Sequence, residues 1–207
     1  EKALEELKLA WGGEVWAKGF YFRLDYNEGN DNRKVACEMF RDSFMDLDPR
    51  FNIEVRGIPW AQYLDDNRAH RLTMFYIGWL PDYPDASNFA HPYYHSGGYF
   101  GGRGSFSVLD ISDTLDGLID QAALMANGPA RAAVYDEIQQ IAIDNALNIM
   151  ASENTARFWM RRWVANFVYS VVQSGGWNYS VVYKTADGSD GPLHPDMVNI
   201  RHVLEEW

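Results

Sequence analysis

The chain of 207 residues is 47% hydrophobic, which is enough to bury a core in one large domain or two small ones. Its 29 acidic and 18 basic residues give a formal net charge of −11. This balance argues against nucleic acid as a partner, because phosphate binding depends on clustered Lys and Arg. Cys37 is the one cysteine, which excludes an internal disulfide and a Cys-rich zinc site.

Strand and helix patterns alternate in the first part of the chain. After a short amphipathic helix at Lys2 to Ala10, apolar and polar side chains alternate from Phe20 to Tyr26, as in a half-buried strand. Turn residues lead into a helical pattern between Val35 and Leu47. A second strand is predicted at Phe51 to Val55, and Pro59 opens a helix that runs to about Ala69.

The apolar run from Leu72 to Trp79 predicts a third strand. We expect it at the centre of the sheet because it is apolar on both faces. Strands joined by single helices predict a parallel sheet with right-handed crossovers. Ligands of such sheets bind beyond the carboxyl ends of the strands. The turn "LPDYPD" follows the third strand and is therefore a candidate site.

The second part of the chain is less regular. "HSGGYFGGRGS" predicts a Gly-rich loop, and "SDTLDGLIDQAALM" and "GPARAAVYDEIQQIAIDNA" predict helices. In the latter helix, one apolar face is predicted to contain Val134, Ile138, Ile141 and Ala142. "ARFWMRRWVANFVYS" and "NYSVVYK" are interpreted as strand and loop pieces that add to the sheet, and "MVNIRHVLEEW" as a final helix.

Asp82 and Asp85 place two carboxylates in the candidate turn. Paired carboxylates can act as general acid and base, but two residues of one Pro-rich turn rarely face a single scissile bond. Asp85 is better placed to cap a short helix predicted at "DASNF". Asp82 is the stronger candidate for contact with a ligand, because it lies closer to the end of the strand.

Two further patterns were weighed for metal and nucleotide chemistry. His91 and His95 are four residues apart, as in many zinc sites, but Pro92 lies between them and no third ligand is indicated. The Gly-rich segment lacks the Lys-Ser/Thr pair of a phosphate-binding loop. No metal and no cofactor are predicted.

Aromatic residues are concentrated around the same turn. Aromatic walls with a few placed charges are typical of a pocket that holds a ligand by stacking and apolar burial. The alternative is that these rings belong to the core and the surface. The residues concerned are Trp79, Tyr83, Tyr93, Tyr94, Tyr99 and Phe100.

Several of these segments, taken in order, resemble one known family. They are "YNEGNDNRKVACEMFRDSF", "IEVRGIPWAQYLDDNRAHRLTMFYIGWLPDYPDASNF", "YDEIQQIAIDNA" and "RFWMRRWVANFV". Over about residues 1 to 185 the chain resembles the C-terminal lobe of the family 5 extracellular solute-binding proteins, the oligopeptide and dipeptide receptors of ABC importers. The resemblance implies an α/β lobe like those of type II periplasmic binding proteins, with a mixed, mostly parallel sheet flanked by helices.

The resemblance also implies a domain organisation and a function. Residues 1–190 would form the ligand-binding C-terminal lobe, comparable to domain III, of a two-lobed protein. Residues 191–207 would be a tail that returns to the other lobe. The lobe would capture a peptide or similar small solute for delivery to a membrane permease, without catalysis. Its partners would be this ligand, the missing N-terminal lobe and the permease, in the periplasm or outside the cell, with a lipid anchor on the parent left open.

In peptide-binding members of the family, the Asp three residues after the Gly-Trp of this motif pairs with the α-ammonium group of the peptide. Here that residue is Asp82, with Trp79 as the neighbouring aromatic wall and Tyr83 as a secondary contact. Tyr76 occupies a position where some oligopeptide receptors carry an Arg, and Arg103 is the suggested replacement cation. Two alternatives stay open: an oligosaccharide receptor of the same family, and a small hydrolase that uses Asp82 or Asp85.

Overall fold

Strands and helices alternate along the first part of the chain, as the sequence pattern predicts. The computed structural model describes residues 2–101, 109–152, 158–169, 178–185 and 191. They divide into two units, one from Glu1–Trp79 and Pro92–Gly117 and the other from Leu80–His91 and Leu118–Trp207. The described elements are α1 (Lys2–Leu9), a 3-10 turn (Ala10–Gly13), α2 (Glu14–Lys18), β1 (Phe20–Asn27), α3 (Asp31–Met45), β2 (Phe51–Ile58), α4 (Trp60–Arg68), β3 (Met74–Phe75), α5 (Ser87–Tyr94), α6 (Ser112–Leu124), α7 (Pro129–Asp144), β4 (Val164–Ala165) and β5 (Tyr183–Lys184).

A three-stranded parallel sheet organises the first unit, with strand order β2-β1-β3. β1 pairs with β2 along its whole length, from Phe20 opposite Phe51 to Asn27 opposite Ile58. β3 pairs with β1 over two residues, Leu24 opposite Met74 and Asp25 opposite Phe75. The parallel strands and crossover helices confirm the predicted α/β class.

The prediction of a long central third strand from Leu72 to Trp79 is wrong. β1 is the central strand, and β3 contains only Met74–Phe75 at the edge. An apolar run signals burial without saying what buries it. In this run the indole of Trp79 packs against aromatic rings that follow α5, and the backbone beyond β3 no longer belongs to the ladder.

The core beside this sheet is formed by residues that the period-2 and helical patterns predict. Leu24, Cys37 and Ile53 are buried at its centre. Burial raises the pKa of the Cys37 thiol to about 11, which confirms that this cysteine is a small buried apolar group. Phe20 stacks on Phe51 with ring centroids 5.0 Å apart, which joins β1 to β2 through their side chains.

The second unit contains α7, whose first residue is Pro129. Ile138 and Ala142 of the predicted apolar face are buried, together with Tyr135, which the prediction left out. β4 and β5 form an antiparallel pair of their own, so the prediction that these segments extend the main sheet is wrong for the described residues. The predicted final helix "MVNIRHVLEEW" lies outside the described residues. None of the helices in the described part of the chain has the length and hydropathy needed to span a bilayer.

Candidate functional site

The aromatic cluster of the first unit begins where the chain leaves β3. We use this name for Trp79, Tyr93, Tyr94, Tyr99 and Phe100. The ring centroid of Trp79 lies 5.7 Å from that of Phe100, nearly perpendicular to it, and 6.3 Å from that of Tyr99. Tyr93 lies 4.7 Å from Phe100. Phe100 and Tyr94 are buried, whereas the other three rings are partly exposed. The cluster is therefore packed inward on one side and open on the other.

The start of the Gly-rich segment is fixed by the backbone at the end of α5. The N–H groups of Phe100 and Gly101 both donate to the carbonyl of Pro92, at 2.7 and 3.2 Å. A Cβ on Gly101 would lie 2.1 Å from the His95 carbonyl oxygen, so only glycine fits there. These contacts set the position of Phe100, against which the Trp79 ring packs.

Asp82 belongs to the second unit, and its two ends behave differently. Its backbone N–H donates to the side-chain oxygen of Asn88 at 2.9 Å, and Asn88 is itself 6% exposed. Its side chain is exposed, and the carboxylate forms no hydrogen bond or ion pair with any described residue. The backbone of the turn is therefore held in place, while the charge of Asp82 remains available to a ligand.

Asp85, three residues later, is bound on all sides. Its carboxylate receives two parallel hydrogen bonds of 2.8 Å from the Arg131 guanidinium and a third of 2.8 Å from the Ser87 N–H. The Arg131 bonds and those from Ser87 hold the pKa of this carboxyl well below its usual range. The bond from Ser87 agrees with the predicted capping role at the start of α5.

Arg131 connects Asp85 to the helices of the second unit. Its Nε donates to the carbonyl of Ala122 at 2.8 Å, and Nη1 donates to the side chain of Asn127 at 2.9 Å. Its guanidinium also lies over the ring of Tyr135, 4.9 Å from the centroid. Asp85 is therefore a structural residue in this arrangement. The sequence gave no sign of Arg131, because it lies 46 residues away along the chain.

The remaining predicted ligand residues differ in what the structure shows of them. Tyr83 is 48% exposed in the second unit, and its hydroxyl lies 3.2 Å from the Ser87 hydroxyl. Arg103 lies outside the described residues.

The two histidines that were weighed as metal ligands have different surroundings. His91 is an exposed residue of α5. His95 follows that helix, and its Nδ1 accepts a hydrogen bond of 2.9 Å from the Gly97 N–H. Among the described residues, no group of three or more His, Cys, Asp or Glu side chains is arranged to hold a metal ion.

A cation that the sequence did not single out lies beside the strand end in the first unit. Arg33, in the first turn of α3, places its guanidinium 5.8 Å from the ring centroid of Tyr76. Its Nη2 lies next to Gly78, the residue before Trp79. Sequence reasoning looked for this charge within the motif itself, whereas the fold supplies it from α3.

Solved structures show the class of protein to which this fold belongs. The ABC transporter-associated periplasmic binding protein DppA from Helicobacter pylori, in complex with the peptide STSA, matches 70% of this chain with 20% identity and a TM-score of 0.55. OppA from Haemophilus influenzae, in complex with RPPGFSPFR, matches 61% with 20% identity and a TM-score of 0.51. NikA from Brucella suis, in complex with Fe(III)-EDTA, matches 61% with 16% identity and a TM-score of 0.50. The fold is that of type II periplasmic binding proteins.

The family follows from the sequence itself. Residues 1–101 match the family model of the bacterial extracellular solute-binding proteins, family 5 Middle. This part of the chain belongs to that family, and the resemblance noted in the sequence is confirmed. The chain spans 27%, 23% and 25% of the DppA, OppA and NikA chains, respectively. No curated protein matches it.

Proposed function

We propose that residues 1–190 are the ligand-binding C-terminal lobe of a two-lobed solute-binding protein, and that residues 191–207 return to the other lobe. In this proposal the protein captures a peptide or similar small solute by closure of the two lobes and delivers it to the permease of an ABC importer. It works in the periplasm or outside the cell. The lobe supplies half of the site and performs no chemistry on the solute.

The exposed carboxylate of Asp82 is the observation that carries this proposal. A peptide ammonium group that loses its water on binding needs an anionic partner, and an unpaired carboxylate on a fixed turn supplies one. The bond from the Asp82 N–H to Asn88 reduces the entropy lost when the ligand orders the turn. Asp85 cannot serve in the same way, because Arg131 already neutralises it.

Trp79 supplies apolar surface in the same proposal. Its ring is partly exposed and is supported from behind by Phe100, so it can contact a ligand without moving. Tyr83, exposed in the turn, is a second aromatic contact, and Arg103 is an additional cation.

The hydrolase alternative is weakened by the state of Asp85. A general base should have a pKa near the operating pH, whereas the pKa of Asp85 is held far below it by Arg131 and Ser87. Asp82 alone, exposed and without a described partner, lacks the second group that would orient it. A binding role suits the two aspartates better than a catalytic one.

The test is calorimetric titration of the complete two-lobed receptor with a library of random tripeptides and with the same library N-acetylated. We expect the wild type to bind the free peptides, and Asp82→Asn to weaken that binding by about 2 kcal/mol or more, roughly 30-fold. The acetylated library should bind weakly to both proteins, because its members lack the ammonium group.

Asp65→Asn is the matched control, since it removes the same charge from an exposed aspartate on α4. We expect it to leave peptide affinity unchanged. Equal peptide affinity in the wild type and Asp82→Asn would contradict the role of Asp82. Binding of oligosaccharides in place of peptides, with no effect of Asp82, would keep the receptor class but transfer recognition to Trp79 and Tyr83.

A further inference from the structure

Arg33 is held at the carboxyl edge of the parallel sheet by two asparagines. Its backbone N–H donates to the side-chain oxygen of Asn30 at 3.1 Å, which caps α3. Its Nη1 donates to the side-chain oxygen of Asn27, the last residue of β1, at 2.7 Å. The guanidinium is therefore positioned at the end of the central strand rather than free in solvent.

The other side of the guanidinium faces the chain that follows β3. The Tyr76 ring lies under it, 5.8 Å from centroid to guanidinium carbon. A Cβ built on Gly78 would lie 2.9 Å from Nη2, which is too close for an undisturbed side chain. The missing side chain at Gly78 thus leaves room for Arg33 beside the residue that precedes Trp79.

The charge of Arg33 is not compensated by a carboxylate among the described residues. Most other described arginines are ion-paired: Arg23, Arg41, Arg50, Arg56, Arg68, Arg71 and Arg131. Arg33 also lies in the first turn of a 15-residue helix, where the helix dipole opposes a positive charge. Asp31 of the same turn is exposed and forms no ion pair with it. The location therefore favours an anion.

The field of this cation reaches the aromatic cluster. Burial and Tyr94 raise the pKa of Tyr93, and Arg33 acts against that rise. Tyr93 in turn packs on Phe100, which supports Trp79. The cation and the partly exposed rings therefore belong to one neighbourhood of the first unit.

We infer that Arg33 binds a carboxylate of the solute, which makes this a receptor for acidic or zwitterionic ligands. The inference rests on the proposed solute-binding function and adds the class of ligand. With Nη1 directed to Asn27, Nη2 and Nε remain as donors, and the planar guanidinium can present them to the oxygens of one carboxylate. A lysine cannot reproduce this geometry, because its ammonium is a point charge.

The test titrates the complete receptor with tripeptides bearing a free C-terminal carboxylate and with the same peptides as C-terminal amides. We expect the wild type to prefer the acids by about tenfold or more, since hydrogen bonds between charged groups contribute that much. Arg33→Gln should remove the preference by weakening the acids alone. Arg33→Lys should restore part of it.

Two further variants separate the charge from the fold. Arg41→Gln removes the same charge from the same helix, away from the sheet edge, and should keep the preference. Gly78→Ala keeps the charge but places a methyl group where Nη2 now lies, so it should also reduce the preference. Its backbone conformation does not require glycine, so the variant should fold normally.

The outcomes distinguish this inference from the function on which it rests. A receptor that binds peptides with the same acid-to-amide ratio in the wild type and in Arg33→Gln overturns the role of Arg33 and leaves the proposed function intact. A wild type that binds neither set of peptides overturns both. Loss of preference in Arg33→Gln with retention in Arg41→Gln supports the assignment.

Discussion

Asp82 and Asp85 lie three residues apart in one turn, yet their surroundings in the second unit are opposite. Asp85 accepts hydrogen bonds from Arg131 and Ser87, whereas the carboxylate of Asp82 contacts no described partner and only its backbone is anchored. The first aspartate that a ligand can use is the one that the fold leaves unused. The second fixes the turn that presents it.

The strongest way to sharpen this comparison is Asp85→Ala. The substitution leaves the Arg131 guanidinium, whose side chain is 11% exposed, without its anionic partner. We expect the free energy of unfolding to fall by about 2 kcal/mol, measured by urea denaturation of the receptor. Arg131→Lys should cost less, because it keeps the charge but loses the paired hydrogen bonds. A change below about 0.5 kcal/mol in Asp85→Ala would show that this pair does not fix the turn.

The same pair predicts a dependence on pH. Because the folded-state pKa of Asp85 is depressed, its stabilising effect is complete above the unfolded-state pKa of about 3.9 and is lost as pH falls towards the folded value. The difference in stability between the wild type and Asp85→Asn should therefore be constant from about pH 7 to 5. It should shrink by about 1 kcal/mol at lower pH, as measured by thermal unfolding. A difference that stays constant to pH 3 would argue against the ion pair.

Asn88 connects the two halves of the comparison. Its side chain accepts from the Asp82 N–H, and its own N–H donates to the Asp85 carbonyl at 3.0 Å. Asn88→Ala should cost about 1 kcal/mol of stability, because a buried amide loses its bond to the turn. Asn145→Ala, at the exposed end of α7, is the control for a lost asparagine and should cost less. Equal losses in the two variants would deny Asn88 a special role.

Much of the first unit could be predicted because its signals are local. Alternation gave β1 and β2, and Pro59 marked the start of α4 within one residue. The position of β3 could not be predicted in the same way. Its apolar run reports burial, but the choice between a sheet neighbour and the aromatic cluster is made by residues far along the chain.

The candidate site shows the same limit. The capping role of Asp85 was visible in the sequence because Ser87, its donor, is two residues away. The partnership with Arg131 was not visible, nor was the approach of Arg33 to Gly78, since both join distant segments. Sequence motifs identify where a ligand group would be presented. The fold decides which charges are already neutralised.

The smallest expected effect on stability is also the one that decides the comparison. Asp82→Ala removes a carboxylate that bonds to no described residue, so the unfolding free energy should stay within about 0.5 kcal/mol of the wild type. The chain has a net charge of −11, so the loss of one exposed negative charge relieves slight repulsion. Urea denaturation without ligand, beside Asp85→Ala, measures it. A loss as large as that of Asp85→Ala would mean that Asp82 stabilises the fold. A negligible loss together with weakened peptide binding would mean that its charge serves the ligand alone.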